Sequence, residues 1–149
     1  MTAMADRVTE HTTIEADPET VRRVLLDFES YPEWAKDLKS VEILESDDQG
    51  RGLSVRYRAA GMGRSVQYTL QYDHSDPARV AWVLTEGDIM RKLDGHYELA
   101  ADGDSTNVTY ELEAELVVPL PGFIKRRTEG RIMHTALHEL KARAEANVS

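Results

Sequence analysis

Along the middle of the chain, apolar and polar residues alternate one for one. Val66, Tyr68, Leu70 and Tyr72 interleave with Ser65, Gln67, Thr69 and Gln71, and Leu53, Val55, Tyr57 and Ala59 with Ser54, Arg56 and Arg58. Successive side chains of a strand point to opposite faces, so each run predicts a strand with one dry and one wet face. The same period recurs at Val80, Trp82 and Leu84, at Leu93, Gly95, Tyr97 and Leu99, and at Val108, Tyr110, Leu112, Ala114 and Leu116. Val41-Glu42-Ile43-Leu44 adds a shorter strand ahead of them. Ser46-Asp47-Asp48-Gln49-Gly50, Gly61-Met62-Gly63, Asp76-Pro77 and Asp102-Gly103-Asp104 are the turns between. Six consecutive strands on short turns predict an antiparallel meander. The β-branched stretch from Arg7 to Ile14 predicts one more strand, with Glu10 on its apolar side.

Two segments carry the helical period instead. Asp17-Pro18-Glu19 has the composition of a helix start, since Asp accepts free amide protons there and proline lacks only an N–H that would go unused. Val21, Val24, Leu25 and Phe28 follow at helical spacing, and this helix ends near Ser30. Pro32 disfavours helix at Tyr31, so Pro32-Glu33-Trp34-Ala35 starts a second short helix, giving a bent pair. After the stop Pro119-Leu120-Pro121-Gly122, residues Phe123 to Ala146 contain no proline and one glycine, which predicts about six helical turns. Phe123, Gly130, Met133, Leu137, Leu140 and Ala144 form its apolar stripe. The order is β-α-α-β6-α, an α+β fold. With no internal repeat or linker, residues 1–149 read as a single domain.

One helical stripe is narrower than the dry face of six or seven strands. Bare apolar surface costs about 25 cal/mol per Å², so the sheet is expected to curve strongly around the long helix. Gly130 thins the stripe where a packed core would want a leucine, while Tyr57, Tyr68, Tyr72, Trp82, Tyr97 and Tyr110 stand on the dry face. These aromatics either fill the core or line an internal apolar cavity whose few hydroxyls would orient a small molecule. Taken with Gly130, they favour the cavity.

The string Asp27-Phe28-Glu29-Ser30-Tyr31-Pro32-Glu33-Trp34, followed by Val41-Glu42-Ile43-Leu44, resembles the opening of the polyketide cyclase/dehydrase group of the START-like (SRPBCC, helix-grip) superfamily. The resemblance continues through Gly50-x-Gly52, Val80-Ala81-Trp82-Val83-Leu84, Gly95-x-Tyr97-x-Leu99 and Thr106-x-Val108-Thr109-Tyr110-Glu111-Leu112 to the terminal helix. It implies the helix-grip fold and a hydrophobic ligand between sheet and long helix, with no metal and no fixed cofactor. The superfamily includes ligand carriers, ubiquinone-binding proteins and aromatase/cyclases, and fold does not choose among them.

The net charge of −9 disfavours nucleic acid as a partner. The basic cluster Lys125-Arg126-Arg127, with Arg131 nearby, is too short to reverse this and reads as a solvated helix start. Without cysteine the chain has no disulfide, thiol nucleophile or thiolate metal site. No apolar run approaches the roughly 20 residues of a transmembrane helix. Residues Met1 to Asp6 lack the pattern of a signal peptide, so a cytoplasmic location is expected. On the long helix, Arg126 either reaches the cavity mouth, where it would neutralise an anionic group, or turns to solvent. His134 sits at the edge of the stripe. His74 at a strand end, His96 beside Asp94 and Glu98, and His138 off the stripe read as surface residues. No catalytic constellation is evident.

The expected function is therefore the carriage or sensing of a lipid-like or polycyclic molecule. The expected contacts are Tyr57, Tyr68, Tyr72, Trp82, Tyr97, Tyr110, Arg126, Gly130, Met133 and His134. Two alternatives stay open: an aromatase/cyclase acting on a polyketide, and a stress module with a vestigial cavity that binds a partner. Ile124 and Ile132, off the stripe, leave a weak homodimer open.

Overall fold

The computed structural model describes residues 6–61, 64–116 and 122–146. Seven antiparallel strands form one curved sheet: β1 (Asp6–Ile14), β2 (Leu38–Ser46), β3 (Gly52–Gly61), β4 (Arg64–Asp73), β5 (Arg79–Gly87), β6 (Met90–Asp102) and β7 (Ser105–Leu116). Their spatial order is β1-β7-β6-β5-β4-β3-β2. The meander β2 to β7 therefore pairs each strand with its neighbour in sequence, and β1 returns beside β7. This is the expected helix-grip arrangement, with helix α1 (Pro18–Leu26), a 3₁₀ segment (Phe28–Glu33) and the long helix α2 (Gly122–Ala146). Residues 62–63 of the glycine turn and 117–121 of the proline stop lie outside the described residues.

Local chemistry sets the boundaries. The Asp17 carboxylate accepts the Thr20 N–H at 2.8 Å and Pro18 opens α1, as a helix start requires. Asp47 accepts the N–H groups of Gln49 and Arg51, each at 2.9 Å, and folds the β2–β3 turn around Gly50, whose φ of 79° suits glycine. The second short helix is the 3₁₀ segment, and it begins at Phe28 rather than after Tyr31. Pro32 sits inside it and lacks the N–H that would continue the ladder, while the turns on either side close through the Ser30 N–H to the Asp27 carbonyl at 3.2 Å and the Trp34 N–H to the Tyr31 carbonyl at 3.1 Å.

The core explains where space remains. Met133, Leu137, Leu140 and Ala144 of α2 are buried with Ile14, Val21, Leu25 and Val108. The helix packs on β1, β7 and α1. Lys141 donates to the Thr13 carbonyl, and Glu145 accepts the Glu15 N–H at 2.8 Å, which pins its last turns to β1. One half of the concave sheet is thus covered by the helix, and the half formed by β3 to β5 is not.

The sheet also opens along one seam. Backbone pairing between β5 and β6 runs only from Arg79–Glu98 to Trp82–Gly95. Beyond it the Leu84 N–H donates to the Asp94 carboxylate at 2.9 Å, so a side chain replaces the missing ladder partner. Alternation puts Asp94 on the same strand face as His96 and Glu98, and its capping role is invisible to a period-two pattern. The outer face carries the charges, including Arg7–Glu113 at 3.1 Å and Lys92–Glu113 at 2.8 Å. No helix among the described residues is long and apolar enough to cross a membrane.

Candidate functional site

A cavity of about 310 Å³ lies between the uncovered half of the sheet and α2. All six aromatics expected on the dry face line it: Tyr57, Tyr68, Tyr72, Trp82, Tyr97 and Tyr110. Period-two alternation delivers them there, since every one lies on an inward position of its strand. Their rings make a continuous wall. Tyr57 stacks on Tyr68 with centroids 5.2 Å apart, Tyr72 lies 6.0 Å from Trp82, and Trp82 lies 5.4 Å from Tyr97, which stacks on Tyr110 at 4.4 Å. Gly95 makes room for the indole: a Cβ there would stand 2.5 Å from the Glu111 carbonyl oxygen and 3.0 Å from the Trp82 ring.

Further lining comes from residues that alternation does not reveal. Tyr31 and Trp34, on and just after the 3₁₀ segment, close the side next to β2. Tyr31 donates its hydroxyl to the Leu25 carbonyl, which fixes its ring. Ile89 and Met90 line the region where β5 and β6 separate, beside Leu93, which alternation does place on the dry face. Exposed lining residues mark the opening: Asp37, Ala60 and Ile132, the last 54% exposed.

The helix meets the cavity with a different face from the one expected. Ile132, Thr135, Ala136 and Glu139 line it, roughly 120° round from the stripe of Met133. Met133 is fully buried in the core, and His134 points outward, its side chain 81% exposed and 4.0 Å from Glu10. Neither lines the cavity, and nor does Gly130, where an added Cβ would meet nothing within 4 Å. The stripe faces β1 and α1 instead, because those elements are where α2 rests. The side chains of Arg126 and Ile124 lie outside the described residues.

His74 was read as a surface residue and is buried. Its Nε2–H donates to the Gly52 carbonyl at 2.6 Å, its ring lies parallel to Tyr72, and Nδ1 has no partner among the described residues. Strand alternation carries on past the end of β4, placing Tyr72 and His74 on the same side.

The site's chemistry is that of neutral hydroxyls in a greasy wall. Burial pushes Tyr110 up to about 12 and also holds Tyr31, Tyr57, Tyr68, Tyr72 and Tyr97 well above the ordinary phenol value. At neutral pH these groups donate hydrogen bonds and carry no charge. Tyr57 and Tyr72 are hydrogen-bonded to each other through their hydroxyls at 2.5 Å. Among the described residues, the charged lining groups are the carboxylates Asp37 and Glu139, with no lysine, arginine or histidine. No group of three or more potential metal ligands occurs among the described residues.

Residues 5–145 match the family model described as polyketide cyclase/dehydrase and lipid transport. Among solved structures, a START superfamily protein from Mycobacterium smegmatis is similar with a TM-score of 0.90 at 24% identity, over 95% of this chain and 99% of that one. An aromatase/cyclase from Streptomyces sp. R1128 is similar with a TM-score of 0.83 at 21% identity, over 97% of this chain and 96% of the other. A STAR-related lipid transfer protein from Xanthomonas axonopodis gives 0.70 at 17% identity, over 93% and 85%. No curated protein matches the sequence.

Proposed function

This chain belongs to the polyketide cyclase/dehydrase and lipid transport family, and from that premise we propose that it binds a hydrophobic, ring-containing small molecule as a carrier or sensor. The observation that carries the reading is the apolar cavity of about 310 Å³ walled by Tyr57, Tyr68, Tyr72, Trp82, Tyr97 and Tyr110. A dry cavity of about 150 Å³ accommodates one benzene ring, so twice that volume suits two or three fused rings. Aromatic walls give such a ligand stacking and edge contacts beyond simple burial. The tyrosines remain protonated at neutral pH, which favours holding a ligand over taking a proton from it.

Native mass spectrometry of the purified protein is expected to reveal a co-purifying apolar molecule. Added phenanthrene at one hundred times its Kd is expected to stabilise the fold by about 2.7 kcal/mol, raising Tm by roughly 5–10 °C. An unchanged Tm, with no bound molecule in the mass spectrum, removes the binding reading. Turnover of a poly-β-ketone that is lost in the Tyr→Phe variants would favour a cyclase instead.

A further inference from the structure

The two hydroxyls of Tyr57 and Tyr72 carry two hydrogens, and one of them is spent in the bond between the rings. The second has no protein acceptor among the described residues, although both side chains are buried in the cavity wall, Tyr57 to within 2% of full burial. An unspent donor in an apolar enclosure costs free energy until an acceptor reaches it. We propose that the Tyr57–Tyr72 pair is a polar anchor that donates one hydrogen bond to the carbonyl oxygen of an uncharged polycyclic ligand, and that the cavity selects such ketones against carboxylates. This inference rests on the binding reading above and adds the chemical class of the ligand.

Selection against acids follows from the same wall. A carboxylate entering the cavity leaves water and meets no cation among the described lining residues. It meets Asp37 and Glu139 at the lining instead, and like charges raise the cost further. A ketone has no charge to desolvate. Because one tyrosine polarises the other, the outer hydroxyl of the pair is also a better donor than a lone phenol.

Isothermal titration with three compounds built on one ring framework tests this: 9-fluorenone, fluorene and fluorene-9-carboxylate. The unmodified protein is expected to bind fluorenone about tenfold more tightly than fluorene, a gain of about 1.4 kcal/mol, and the carboxylate most weakly of the three. In the double variant Tyr57→Phe/Tyr72→Phe the preference for fluorenone disappears while fluorene affinity stays, which also reports that the variant is folded. Each single Phe variant keeps one O–H and with it part of the preference. Fluorene bound as tightly as fluorenone by the unmodified protein, or a preference that survives the double variant, overturns the anchor and leaves the binding reading standing. A carboxylate bound as tightly as the ketone overturns the selectivity. If neither fluorenone nor fluorene binds, the binding reading falls and the anchor with it. Should the double variant not fold, the ratios among the three compounds for the unmodified protein decide.

Discussion

A tyrosine ionises only by leaving a phenolate behind, and an apolar wall solvates that charge poorly. The chain has six tyrosines, and burial raises the pKa of all of them. Above pH 10 the unfolded chain gives up phenolic protons that the folded chain retains. The stability these groups contribute is therefore whole below pH 10 and declines as pH rises through the folded values, of which Tyr110 at about 12 is one. Absorbance at 295 nm is expected to show no phenolate near pH 10 while circular dichroism remains native, and then to rise together with unfolding. A titration near pH 10 in the folded protein would place those hydroxyls in water. At this scale strict alternation made the six cavity aromatics legible. It could not register Tyr31 and Trp34, which sit in a segment with no period. Alternation would have placed His74 inward beside Tyr72, but its place beside Asp73 at a strand end suggested the surface.

Helix α2 divides its labour around its circumference. Leu140 is fully buried against the core, so Leu140→Ala is expected to cost about 2–5 kcal/mol in chemical denaturation. Ile132 stands half in solvent at the cavity opening, so Ile132→Ala is expected to shift stability by less than about 0.5 kcal/mol. The same Ile132→Ala change is expected to weaken phenanthrene binding several-fold in calorimetry, because it removes part of the lining. Equal stability losses in the two variants would contradict this division. A helical wheel identifies the buried stripe correctly but carries no information about which neighbour that stripe meets. Gly130, Met133 and His134 were assigned to the cavity on the assumption that the stripe faces it, whereas the helix leans on β1 and α1. The separation of β5 from β6 was equally hidden, since both strands keep their alternation where the ladder between them stops.

For the molecule as a whole, the governing fact is that a broad concave sheet is only half covered by its helix. The number of strands, the meander of six of them and the need for a hollow were legible, because they follow from pattern and from relative apolar widths, whereas the place of β1 beside β7 was not. The resemblance to the family then agreed with both. The location of the hollow depended on tertiary contacts that no pattern contains. Ligand binding is expected to slow amide exchange most in β3, β4 and β5, which the helix leaves bare, and least in β1, to which it is pinned. A uniform change measured with phenanthrene would place the ligand elsewhere. The chain has two tryptophans, Trp34 and Trp82, and both line the cavity. All indole emission of this protein therefore originates at the site. With Tyr72, Tyr97 and Tyr110 within 6.0 Å of Trp82, light absorbed by those phenols is passed on to the indole. The molecule thus carries its own optical probe of occupancy, and no dye need be attached to follow a guest arriving or leaving.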